Sequence, residues 1–163
     1  MADDGNRTLI NSRGEFHDAL RAAFAAAADA GSREIWLCDD DFDDWPLNER
    51  GVIDDLTRWA ESHRSLSVVA RNFDTITRRH ARWVEWRRTW SHVVRCWTND
   101  ELEAGQMPTM LLAPGAASVR LVDPLRYRGS VSREPADAIV WRETVDAVLQ
   151  RAQEAFPATT LGL

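Results

Sequence analysis

Three short apolar runs, "EIWLC" (34–38), "LSVVA" (66–70) and "HVVRCW" (92–97), are separated by segments whose apolar residues recur at helical spacing. No other feature constrains the fold as much. A strand, a helix and a further strand close as a right-handed crossover, which sets the strands parallel and lays the helices over the sheet. Each run is too short for a helix and too continuously apolar for a strand with one wet face. Together they read as buried strands.

The flanking segments complete the order. "RTLI" (7–10) has the character of a short edge strand. Ser12 and Glu15 stand at the spacing of a capping box, and Phe16, Leu20, Ala23, Phe24 and Ala27 follow on one helical face, closed by Gly31. "VIDDLTRWAES" predicts a second helix with Ile53, Leu56 and Trp59 or Ala60 inward, and a third is expected from Asp74 to Trp90. "TMLLA" and "SVRLV", joined through Pro114-Gly115, predict a hairpin. "DPLRYRGSVSREP" reads as a polar loop. The last helix is expected after Pro135, with Ile139, Val140, Val145, Val148, Leu149 and Ala152 inward, and "FPATTLGL" as a tail. The expectation is one α/β domain over residues 1–163, its first seven residues frayed. Its sheet would be mixed but mostly parallel, with helices on both faces.

Chemistry is constrained by what is missing. The chain has no lysine, so all 20 of its basic residues are arginine. P-loop phosphate binding, Schiff-base chemistry and Ser-Lys dyads are therefore excluded. Cys38 and Cys96 lie in strand-like runs and behave as small hydrophobes, and with the four histidines they make no zinc-like spacing. No cofactor is expected. No apolar run approaches the roughly 20 residues of a membrane span, and "MADDGNRTLI" does not look like a signal peptide, which points to the cytoplasm.

Two clusters stand out. "DDDFDDW" places Asp39, Asp40, Asp41, Asp43 and Asp44 just past the carboxyl end of the first central strand, where open α/β sheets bind ligands. Asp39, Asp41 and Asp43, with Asp74 or Asp100 from neighbouring strand ends, would suit a magnesium-dependent phosphoester hydrolase or nuclease. Against that stands an acidic loop neutralised by arginines. The second cluster, "RRHARWVEWRRTWSHVVRCW" (78–97), holds six arginines, four tryptophans and one acid in a chain of net charge -6. On a helix Ile76, Trp83 and Trp90 fall within about 20° of one another, with Trp86 some 60° away. Exposed, such a stripe stacks nucleic-acid bases. Packed, it is core with an arginine rim. The acidic balance favours core, and nucleic acid is not expected as a partner. The candidate ligand or partner residues are Arg78, Arg79, His80, Arg82, Trp83 and Arg87. Arg78, Arg79 or Arg82 should meet the acidic loop, because both clusters leave the same edge of the sheet.

The order of elements resembles a known superfamily. "SRGEFHDALRAAFAAAADAGSREIWLCDDDFDDWPLNERGVIDDLTRWAESHRSLSVVARN" resembles the first half of a phospholipase-D-like domain. "PTMLLAPGAASVRLVD" and "AIVWRETVDAVLQ" are similar to its motif-bearing strand and the helix that follows. The resemblance implies a His-x-Lys-x4-Asp signature in "MPTMLLAPG", yet Met107, Thr109 and Pro114 occupy those places. A histidine nucleophile and a phosphate-steadying lysine are both absent. The resemblance therefore implies a non-catalytic relative, a binding or regulatory module. Because the superfamily's unit comprises two such halves, it also implies a homodimer or a protein partner, with a phosphate-bearing ligand compatible.

Overall fold

The structure, a computed structural model, describes residues 6–61 and 63–156. Most of the expected frayed N-terminus and the tail beyond Phe156 lie outside the described residues. Arg7 is described, and opens the first strand.

Three parallel strands make the spine: β2 (Glu34–Cys38), β3 (Ser65–Ala70) and β4 (Val94–Thr98). They flank a meander of β5 (Thr109–Leu112), β6 (Ser118–Asp123) and β7 (Arg128–Ser132), with β1 (Arg7–Ile10) at one edge and β8 (Gln153–Glu154) at the other. The order across the sheet is β1-β7-β6-β5-β2-β3-β4-β8. The α/β fold with a mixed sheet stands, but its balance is corrected. Among the described residues only β2–β3 and β3–β4 pair in parallel, and the other five neighbouring pairs are antiparallel. Helical crossovers impose parallel pairing only where a long helix intervenes, and nothing longer than the single 3-10 turn Pro124–Arg126 separates β5, β6 and β7. The expected polar loop was misread because β7, "RGSVS", has few apolar residues. It pairs on both sides with short strands, and only Val131 faces the large core.

The helices are α1 (Arg13–Ala30), α2 (Arg50–Trp59), α3 (Asp74–Arg79), α4 (Ala81–Thr89) and α5 (Pro135–Leu149). Ser12 caps α1 by accepting from the Glu15 N–H at 3.1 Å, while the Glu15 carboxylate accepts from the Asn11 N–H at 2.7 Å. The reach back goes one residue past the N-cap N–H that a standard capping box uses. Gly31 ends α1 at φ +66°, a conformation that costs glycine little. The single helix expected from Asp74 to Trp90 is broken at His80, whose φ of -123° and ψ of +56° are not helical.

Two cores result. Phe16, Leu20 and Phe24 of α1, Leu56 and Trp59 of α2, and Trp83 of α4 pack with Ile35, Leu37, Leu66, Val68 and Val119 on one face. Each such side chain contributes about 1.5–3 kcal/mol by leaving water. On the other face α5 buries Trp141, Val145 and Val148 on Cys38, Val69, Met110 and Leu112. The inward face expected of α5 is corrected here. Ile139 and Val140 are 66% and 56% exposed, whereas Ala138 and Trp141 are buried, because Trp141 offers more apolar surface than either aliphatic neighbour.

Candidate functional site

The carboxyl end of β2 opens into the acidic loop, and here the sequence expectation can be tested atom by atom. The loop is anchored rather than solvated. Phe42 is fully buried at φ +61° and packs edge-on to Trp45 with ring centroids 4.8 Å apart. His80, buried at the break between α3 and α4, donates from Nε2 to the Phe42 carbonyl at 2.8 Å. Burial lowers the His80 pKa, and the neutral ring with its proton on Nε2 fits that bond. The imidazole thus ties the helix break to the loop, a positioning role.

The carboxylates take separate partners. The Asp39 carboxylate accepts from Thr109 Oγ1 at 2.6 Å and from the Phe42 N–H at 2.8 Å. Arg71 reaches Asp40 at 3.4 Å and the Leu102 carbonyl at 3.1 Å. Asp41 accepts from the Asp43 N–H at 3.0 Å, and Asp43 pairs with Arg79 at 3.2 Å. Asp44 gathers Arg13 at 2.8 Å, His17 at 3.2 Å and the Tyr127 hydroxyl. Burial alone would raise the Asp44 carboxyl, but the hydrogen bonds from Tyr127 and Arg13 and the nearby cations hold it below its ordinary value.

The magnesium reading is therefore corrected at the level of geometry. Asp39, Asp41 and Asp43 do not converge, and among the described residues no three His, Cys, Asp or Glu side chains gather as metal ligands would. Turn hydrogen bonds and arginines engage these carboxylates separately, and the Asp40 Oδ1 left buried without a partner among the described residues is not joined by other carboxylates as a cation would need.

Of the arginine–tryptophan candidates, Arg79 meets the acidic loop at Asp43, and His80, for which no such contact was expected, meets it through the Phe42 carbonyl. Arg82 meets the next turn, with its guanidinium on the Asn48 carbonyl and its backbone N–H on the Asn48 side chain, each at 2.9 Å. Arg78 turns to Thr75 at 3.4 Å. Trp83 is fully buried, and Arg87, also buried, donates to Cys96 Sγ at 3.3 Å and lies over the Phe156 ring. These two offer no surface, which corrects their placement among the ligand-binding candidates. A helix packed on a sheet buries its aromatic stripe before it exposes it. Trp86 is buried and Trp90 partly so, with ring centroids 6.4 Å apart. Sequence reasoning missed Arg13, His17 and Tyr127 around Asp44, since residues 31, 27 and 83 positions away carry no local signal.

The positions where the resemblance would place a His-x-Lys-x4-Asp signature are buried at one end and lie apart from the other. Met107 is buried beside Met110 and Trp141, and Thr109 is spent on Asp39. Pro114 lies in the turn between β5 and β6, at the far end of the strand.

Asp39 supplies a pH prediction. Burial raises its pKa against the opposing hydrogen bonds from Thr109 and the Phe42 and Asp41 N–H groups. A raised folded pKa contributes stability in acid, and that contribution is lost as pH rises through the folded value. Asp39→Asn keeps the acceptor without the charge. It should match the parent near pH 4 and exceed it at pH 8 by on the order of 1 kcal/mol in urea denaturation. Equal stability at both pH values would contradict the burial of this carboxyl.

No protein-family profile and no curated protein matches the sequence. Solved structures do. The chain superposes with a TM-score of 0.62 and 10% identity on TrmBL2, an archaeal chromatin protein, over 92% of this chain and 54% of that one. It thus spans about half of TrmBL2. It also superposes on Nuc from Salmonella typhimurium, a phospholipase D family member, with a TM-score of 0.58 and 8% identity, over 91% of this chain and 97% of that one. At such identities the likeness speaks for architecture alone. With its mixed sheet, its crossover helices and these neighbours, the chain has the phospholipase-D-like fold.

Proposed function

We propose that this chain is a non-catalytic phospholipase-D-like module that acts by binding, as a homodimer or with another protein. One observation carries the reading: Met107 and Thr109 fill the places where the superfamily keeps its histidine and lysine, and both are buried. The Met107 thioether cannot take the histidine's part, the Thr109 hydroxyl is buried away from any substrate, and no lysine elsewhere supplies the phosphate-steadying cation. Exposed Ile139 and Val140 on α5 supply apolar surface for a partner. Two buried free thiols, Cys38 and Cys96, suit the cytoplasm, and among the described residues no helix is long and apolar enough to cross a membrane.

TrmBL2 is described as having a novel mode of DNA binding, which revives nucleic acid as a partner despite the net charge of -6. The burial of Trp83 speaks against stacking by that ring, while Arg78, Arg79, Arg82 and Arg88 stay exposed.

Purified protein assayed against bis(p-nitrophenyl) phosphate, single-stranded DNA and phosphatidylcholine vesicles should show no turnover above buffer. Sedimentation at micromolar concentration should give twice the chain mass. Turnover that co-purifies with the protein through successive columns would overturn the reading.

A further inference from the structure

The two faces of the sheet are covered unequally. Helices α1 to α4 pack into the larger core on one face, whereas α5 crosses the other. It starts at Pro135, beside Pro114 and Gly115, and ends near the far end of β4, where the Val148 carbonyl accepts from Asn99 Nδ2 at 2.9 Å. Among the described residues, that diagonal leaves the first half of β3 and β4 without a helix over it on this face.

Strand alternation decides what stands on this bare face. Trp36 lies opposite Ser67, and Ser67 opposite Arg95, in one row across β2, β3 and β4. Trp97 lies one row further on, beside Val69, and Ser65 precedes Ser67 on the same face. Two small serines on the middle strand thus form a floor between Trp36 on one side and Arg95 and Trp97 on the other. The result is an open trough of about 570 Å³, completed by Arg64, His92, Val93 and Leu149.

Its charge sets it apart. Among the described residues three basic side chains line it and no carboxylate does. Arg64 spends one N–H on the Trp59 carbonyl at 3.0 Å, and among the described residues Arg95 has no carboxylate partner. Glu34, opposite Ser65, and Glu154, opposite Trp97, border the trough without lining it. By contrast the groove between α2 and α4 sets Arg50 and Arg82 against Asp54 and Glu85. Arg142 lies over the Trp36 ring at 4.0 Å and is itself held by Asp146, which fixes that indole in place.

We infer that the trough binds a nucleotide, with its base against the indoles of Trp36 and Trp97 and its phosphate at Arg64, Arg95 and His92, assisted by the Ser65 and Ser67 hydroxyls. Flat aromatic rings beside unneutralised guanidinium groups are the complement of a base joined to a phosphate. The site goes beyond the reading above, since it lies toward the opposite end of β2 and β3 from Met107 and Thr109 and needs no catalysis.

Calorimetric titration with adenosine 5′-monophosphate, inorganic phosphate and oligothymidylate tests it. The mononucleotide should bind one per chain and more tightly than phosphate, and added salt should weaken it. An oligomer that binds more tightly than the mononucleotide identifies a polymer as the source, whereas equal affinity identifies a free nucleotide. Arg95→Ala, at an exposed position, should weaken binding about tenfold or more, and Arg78→Ala should leave it unchanged. In indole ¹⁵N–¹H spectra the Trp36 and Trp97 signals should move while that of Trp59 stays. No heat at millimolar mononucleotide, phosphate binding as tightly as the mononucleotide, or indifference to Arg95→Ala would overturn the inference. Cleavage of a bound oligonucleotide would overturn the non-catalytic reading and leave the trough standing.

Discussion

Trp83→Ala should lower unfolding stability by about 3–5 kcal/mol in urea, the range for emptying a buried aromatic site. Trp83 is fully buried, meets Trp86 with ring centroids 6.5 Å apart and belongs to the larger core. The lost ring leaves a cavity under α4 that α2 and the sheet can fill only by moving. Trp83→Phe separates packing from polarity. The indole N–H has no hydrogen-bond partner among the described residues, so phenylalanine removes a buried donor that costs about 1–3 kcal/mol while keeping much of the ring. Phe should therefore lose less than half of what Ala loses. Were Trp83 a solvent-facing stacking platform, both substitutions would leave stability within about 0.5 kcal/mol of the parent, and the packed-stripe account would fail.

Gly129→Ala should cost about 3 kcal/mol or more, the upper range for forcing atoms into a filled space. A Cβ at this position would lie 1.9 Å from the Arg120 carbonyl oxygen and 2.7 Å from Leu121 Cα. Both are backbone of β6, so no rotamer change relieves the clash. Gly129 sits opposite Leu121 and opposite Ile10, next to the register shift between Leu121 and Asp123. Since among the described residues β1 pairs with the sheet through β7 alone, the damage should extend to both strands. Amide exchange would show it, with protection lost in β1 and β7 before β2, β3 and β4. Gly51→Ala near the start of α2 is the control. Nothing lies within 4 Å of the added methyl, and the effect should be a gain of a few tenths of a kcal/mol. Equal stability of Gly129→Ala and the parent would mean that β6 and β7 do not approach this closely.

The acidic loop explains itself in the same terms. A run of five aspartates within six residues invites a metal reading because spacing alone does not say where each carboxylate turns. Backbone N–H groups and arginines claim them one at a time. His80 then acts as a buried peg on the Phe42 carbonyl, which a lone histidine among arginines does not announce.

Local chemistry already determines much of this protein in its sequence. Apolar periodicity marks β2, β3, β4 and the inward face of α1, the Ser12 and Gly31 caps bound α1, and the absence of lysine excludes chemistry that depends on one. Those signals are carried by neighbours within a helical turn or a strand. Tertiary structure decided the rest: that five of the seven sheet pairings run antiparallel, that "RGSVS" is a strand, that α5 turns Trp141 rather than Ile139 inward, and that Tyr127 and Arg13 reach Asp44. The bare half-face with its trough also belongs to this second group. It follows from the diagonal of one helix over strands far away in sequence, and such long-range packing leaves no periodic trace in the chain.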